Sequence, residues 1–220
     1  PNLYLVSINT NGFYTQRIKD SIEKILSEHK FIGLTIGVAH IPNKTWGKER
    51  TGIQSAYERY QQILKILNKM EKSHPNKLNY YKMFTLSNKS DIDLIERDEK
   101  LWLNFVETSD FYNNTDQDSK DMLSIQEKME AIDCFLELNK KHTSYLNKKF
   151  ISYWKKLIRR GQRSVPCYAG INRCFVESDG KQYICIKELR TRGEMSREHC
   201  AQCWTACEGV FDLVQKFPFI

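Results

Sequence analysis

No apolar run in this 220-residue chain approaches the length needed to cross a bilayer. The start carries no basic, apolar, small-residue succession of the kind that directs secretion. No solenoid-type repeat and no low-complexity tract appear. These absences leave a globular chain, large enough for one domain plus a small appendage. Average charged content excludes a disordered solvating chain. A membrane partner is not expected. The cysteines do not form an even secreted framework either: there are seven, with a Cys-x2-Cys step among them. Metal-bound thiolates point to a reducing compartment, so the expected location is the cytoplasm. The first residue is Pro1 rather than Met, which fits a fragment or a processed chain.

The net charge is +7, and its tightest cluster is Lys155, Lys156, Arg159, Arg160 and Arg163. Such a cluster could meet nucleic acid. The plainer reading is a solvated helix end, where cations suit the helix dipole, so nucleic acid is not the expected partner.

Strand-like and helical periodicities alternate through the first half. Leu3 to Ile8 is a β-rich run that ends in the turn signal Thr10-Asn11-Gly12. Thr15 is placed to cap a helix with Ile18, Ile22, Ile25 and Leu26 at helical spacing. Phe31 to Val38 reads as a second strand, and Ile41 to Gly52 as a polar loop. Ile53, Tyr57, Tyr60, Leu64 and Leu67 mark a second helix. Asn79 to Leu86 reads as a third strand, closed by Ser87-Asn88. Leu94, Ile95, Trp102, Phe105 and Val106 suggest a third helix. Three strand–helix units imply parallel strands with crossover helices. That is few for a closed barrel.

Beyond a polar stretch from Asp110 to Ser119, two helices are expected. Ile125, Met129, Ile132 and Leu136 stripe one; Tyr145, Phe150, Trp154, Leu157 and Ile158 stripe the other. Cys134 lies within the first and reads as a small buried hydrophobe. Gly161 ends the helical part. Asn172 to Glu177 and Lys181 to Ile186 then read as a hairpin about Asp179-Gly180.

Six of the seven cysteines fall between Cys167 and Cys207. They are Cys167, Cys174, Cys185, Cys200, Cys203 and Cys207. Thiolate is a soft ligand that suits zinc and iron–sulfur clusters, so this dense segment reads as a metal site. With a two-residue turn, Cys174 would lie opposite Cys185 with Cβ atoms roughly 5 Å apart. Cys200-x2-Cys203 is the stronger element, because a two-residue gap lets both sulfurs face one metal. Cys207 shares a face with Cys203 if that stretch is helical. One or two hairpin cysteines plus Cys200 and Cys203 make either a zinc site or an iron–sulfur site. His199 reads as a surface residue. His40 and His142 show no partner pattern.

The segment "PCYAGINRCFVESDGKQYIC…HCAQCWTACEG" resembles the SPASM or twitch domain that follows the barrel of radical SAM enzymes. Cys167, Gly180, Cys185, Cys200 and Cys203 match that domain's pattern in order and spacing. "LYLVSINTNGFYTQRI" is similar to the third barrel strand of those enzymes. "FIGLTIGVAHIPNKTWGKERTGIQSAYERYQQIL" is similar to the fourth strand, its loop and the next helix, with Arg50 and Gly52 as an Arg-x-Gly element. "NYYKMFTLSNKSDIDLI" is similar to the fifth strand, ending in Asn88. The resemblance implies an α/β fold: a partial parallel (β/α) barrel over residues 1–110, a helical connection over 111–163, and a small Cys-rich hairpin and helix domain over 164–220. It implies an auxiliary [4Fe-4S] cluster on Cys167, Cys185, Cys200 and Cys203, with Cys174 and Cys207 in reserve. Thr10, Asn11, Gly12, Arg50 and Asn88 would be elements on the S-adenosylmethionine side. Tyr168 and Trp204 neighbour ligands and could shield the cluster. Family substrates include peptides and small molecules, and nothing selects among them.

Three departures matter. The Cys-x3-Cys-x2-Cys motif that holds the SAM-cleaving cluster is absent, and so is the Gly-Gly-Glu element of the second strand. The Ser and Asp often seen on strand four are replaced around Thr35 to His40. The expectation is therefore the C-terminal portion of a radical SAM enzyme, not catalytically competent alone. SAM and a second [4Fe-4S] cluster would belong only to a longer parent chain. The competing expectations are a structural four-cysteine zinc module that stabilises an interaction domain, and a degenerate relative that never binds SAM.

Overall fold

The computed structural model describes residues 5–105, 123–140, 145–160, 175–176 and 180–183. Two compact units divide the chain. One comprises Pro1–Leu86 with Leu94–Asn104, the other Ser87–Asp93 with Phe105–Ile220.

The first unit is α/β. Strands β1 (Leu5–Thr10), β2 (Gly33–Ala39), β3 (Leu78–Leu86) and β4 (Leu101–Phe105) form one sheet in the order β1-β2-β3-β4. β1 pairs parallel to β2 with Leu5 beside Gly33, and β2 pairs parallel to β3 with Leu34 beside Leu78. Helix α1 (Thr15–Glu28) connects β1 to β2. Helices α2 (Lys44–Thr51) and α3 (Ala56–Ser73) connect β2 to β3.

Alternation along β2 sends Leu34, Ile36 and Val38 to one face, where all three are buried. Ile22 and Leu26 of α1 and Tyr60, Ile63 and Leu67 of α3 join them in a single apolar cluster. Both crossovers therefore lay their helices on the same side of the sheet. The result is a parallel sheet with its crossover helices packed on one face.

The expected helices α1 and α3 form as their apolar stripes require. Thr15 is the first residue of α1 rather than its cap; Tyr14 holds the cap position, with no side-chain capping bond. Two other expectations are corrected. The polar stretch from Ile41 to Gly52 contains α2, capped where Asn43 Oδ1 accepts the Trp46 amide at 2.9 Å. Gly52 ends it with φ of 69°, a left-handed conformation that glycine adopts without a Cβ penalty. The expected helix at Leu94 to Val106 is instead a 3-10 turn, Lys89–Leu94, followed by strand β4. Leu101 and Leu103 are buried at strand spacing.

In the second unit, α4 (Ile125–Asn139) begins with a reciprocal capping box between Ser124 and Glu127. Its buried stripe includes Met129 and Ile132. In α5 (Tyr145–Arg160), Ile151, Tyr153 and Ile158 are buried. Lys155 of α5 pairs with Asp133 of α4.

Strands β5 (Phe175–Val176) and β6 (Gln182–Tyr183) form the expected antiparallel hairpin. Its register is corrected: Phe175 faces Tyr183 and Val176 faces Gln182. That is one residue away from the register in which Cys174 faces Cys185. Gly180 has φ of 86°, a left-handed conformation that glycine adopts without a Cβ penalty.

Candidate functional site

Ligands of parallel α/β sheets gather at the carboxyl ends of the strands, on loops the sheet holds rigid. Three segments proposed for S-adenosylmethionine follow strand ends here. Thr10, Asn11 and Gly12 follow β1. Thr10 Oγ1 accepts the Gly12 amide at 3.1 Å, and Asn11 Oδ1 accepts the Phe13 amide at 3.1 Å. Gly12 has φ of 77°, and a Cβ there would lie 2.8 Å from Ile63 Cγ2. The turn is thus pressed against the core by α3. Arg50 lies in the last turn of α2, its guanidinium 5.4 Å from the centre of the Trp46 ring. Asn88 follows β3. Its Oδ1 accepts the Ser90 hydroxyl at 2.7 Å and the Asp91 amide at 3.2 Å. Buried Asp91 closes the same turn by accepting from Ser87 and Asn88. Each of these residues therefore has a local structural duty.

The sheet face away from the helices carries polar Ser7, Asn9, Thr35 and Asn79 beside Leu5, Tyr81 and Met83. Ser7, Asn9 and Asn79 are exposed, and Thr35 is half-buried. Tyr81 Oη donates to Asn9 Oδ1 at 3.1 Å. That bond spans Gly37 on the strand between them, where a Cβ would sit 2.2 Å from Asn9 Oδ1.

A further constellation escaped the sequence. His40, directly after β2, is 3% exposed, and Tyr60 of α3 is 1% exposed. His40 Nδ1 lies 2.6 Å from Tyr60 Oη. The other ring nitrogen, Nε2, lies 2.9 Å from Glu96 Oε1, a close electrostatic contact rather than an aligned hydrogen bond. Phe84 and Tyr60 both meet the imidazole edge-on, with centroids 5.2 and 5.5 Å away. Burial, with the carboxylates of Glu96 and Asp98 adding, pushes the Tyr60 phenol well above its ordinary range. The His40 contact, helped by Lys82, holds the Glu96 carboxyl below its usual range. The partners come from segments far apart in the chain, so no local spacing announces them.

Cys134 is half-buried on α4, and burial, with Asp93 adding, raises its thiol pKa. The side chain is thus less enclosed than the small buried hydrophobe expected at this position. Cys167, Cys174, Cys185, Cys200, Cys203 and Cys207 lie outside the described residues, as do His199, Tyr168 and Trp204. Among the described residues, no group of three or more His, Cys, Asp or Glu could hold a metal. Among them too, no helix is long and apolar enough to cross a membrane.

Comparison with known proteins finds no matching family model, no matching curated protein and no matching solved structure.

Proposed function

We propose that the chain is part of a radical SAM enzyme of the SPASM or twitch kind, with Cys167, Cys185, Cys200 and Cys203 holding an auxiliary [4Fe-4S] cluster. The observation that carries this reading is the order and spacing of those cysteines about Gly180. Cysteine thiolates are the donor set that iron–sulfur clusters require. Two features of the fold support it. The β5–β6 hairpin brackets Gly180 in its left-handed turn. The parallel sheet runs in the order β1-β2-β3-β4 with its crossover helices packed on one face, an arrangement compatible with part of a (β/α) barrel.

When bound, such a cluster supplies one-electron redox chemistry close to a substrate. The chain's own residues then divide the work. The thiolates grip the cluster, while Tyr168 and Trp204 shield it. The turns at Thr10, Asn11 and Gly12, at Arg50 and at Asn88 stand on the S-adenosylmethionine side. Asn9 and Tyr81 line the open face on which a peptide or small-molecule substrate would rest. SAM cleavage itself belongs to a parent chain carrying Cys-x3-Cys-x2-Cys. A reducing, cytoplasmic setting suits the thiolates.

The test is oxygen-free reconstitution with iron and sulfide, followed by absorption and by single Cys→Ala variants. The reading expects a brown protein with broad visible absorption that Cys185→Ala and Cys203→Ala both abolish. Cys174→Ala and Cys207→Ala should retain it. A colourless protein that binds one zinc per chain would instead favour a structural four-thiolate zinc module, because zinc has a filled d shell.

A further inference from the structure

We propose that Tyr60 is a site of reversible one-electron oxidation, with His40 as the acceptor of its proton. Every residue involved lies in the first unit.

A phenol that loses an electron becomes a very strong acid. It is oxidised at an accessible potential only where a base is already in place to take the proton. His40 Nδ1, 2.6 Å from Tyr60 Oη, is such a base when it is the unprotonated ring nitrogen. Which nitrogen carries the hydrogen is set by the partner of the other one. Beside the other one lies the Glu96 carboxylate, 2.9 Å from Nε2, whose negative charge favours the hydrogen on Nε2 and leaves Nδ1 to accept from Tyr60. The same carboxylate stabilises the imidazolium that forms on proton transfer.

Burial fits the role in two ways. Water cannot reach the phenol, which is 1% exposed, so a phenoxyl radical there is shielded from quenching. Burial also disfavours the phenolate, which ties electron loss to proton loss. The charged groups about the cluster are Glu96 and Asp98 before β4 and Lys82 on β3, the last paired with Asp98. Glu96, with its side chain 45% exposed, links the buried pair to solvent. Tyr57, half-buried with its ring centroid 6.5 Å from that of Tyr60, offers an electron path outward.

Electrons and protons balance in a single step. Tyr60 gives one electron to an external one-electron oxidant, an organic radical or a high-potential metal complex. Its O–H bond breaks, and the proton crosses the existing hydrogen bond to Nδ1. A neutral phenoxyl remains beside an imidazolium paired with Glu96. Return of one electron sends the proton back.

The test is flash oxidation of the full chain by a photo-oxidised ruthenium complex, read by freeze-quench electron paramagnetic resonance. The wild type should give a tyrosyl signal with a component that Tyr60→Phe removes. In His40→Gln that component should form more slowly, by on the order of tenfold or more, since an amide accepts a hydrogen bond but is not a base. Glu96→Gln alters only a half-exposed position, and it should also slow formation. Circular dichroism confirms that each variant keeps the fold. Identical wild-type and Tyr60→Phe spectra, or formation rates unchanged in both His40→Gln and Glu96→Gln, would overturn the proposal and leave the cluster a packing element.

Discussion

Replacing Gly12 by alanine tests how tightly the β1 turn is built, and Gly52 supplies its internal control. Both glycines have left-handed backbones, with φ of 77° and 69°. Holding alanine there costs about 1–2 kcal/mol. Both substitutions also remove similar conformational freedom from the unfolded chain, so these contributions cancel between them. Their surroundings differ. A Cβ on Gly52 meets nothing within 4 Å, whereas one on Gly12 would lie 2.8 Å from Ile63 Cγ2 and 3.5 Å from Val38 Cγ1. Ile63 and Val38 are both fully buried, so neither can swing into solvent. Overpacking of this kind costs typically about 1–3 kcal/mol. Gly12→Ala should therefore destabilise by about 2–5 kcal/mol, and Gly52→Ala by no more than about 1–2 kcal/mol. Urea unfolding followed by circular dichroism reads both, since both residues lie in the first unit. Equal losses in the two variants would refute the claim that α3 clamps this turn.

Two further outcomes follow from the perturbed groups. Glu96 titrates lower folded than unfolded, so between those two pKa values the folded state holds fewer protons and stability rises with pH. That contribution is complete above the ordinary carboxylate range and disappears as pH falls through the depressed folded value. Glu96→Gln should flatten the acid limb of a stability-against-pH curve, and an unchanged limb would count against the His40 contact. The raised thiol pKa of Cys134 predicts slow alkylation in native protein at neutral pH and faster alkylation in denaturant. Peptide mass spectrometry separates it from the other six thiols, and equal rates in both states would contradict its packing on α4.

What could be read from residues alone depended on whether the signal was local. Ile18, Ile22, Ile25 and Leu26 carry an unbroken helical stripe, and α1 follows it. Helix α2 offers only one apolar residue, Trp46, within Lys44–Thr51. No periodicity marks it, and the capping bond of Asn43 defines its start instead. Leu94 to Val106 fits a helical spacing and a strand spacing equally well, as short apolar runs do. Burial of Leu101 and Leu103 decides for the strand. The hairpin was legible in Asp179-Gly180, but its register was not, because loop length rather than turn composition sets it. The His40 constellation had no local trace at all. Tyr60 reads as an ordinary stripe residue of α3, and no local pattern singles out Glu96. Only the folded chain brings them to the two nitrogens of one ring.

The central claim is that the late cysteines grip inorganic iron. Metal and acid-labile sulfide analysis of the chain, purified without oxygen and read beside a Mössbauer spectrum, tests it most directly. The account predicts iron and sulfide in the proportions of one [4Fe-4S] cluster per chain. Stoichiometric zinc without sulfide, or neither metal, would contradict it.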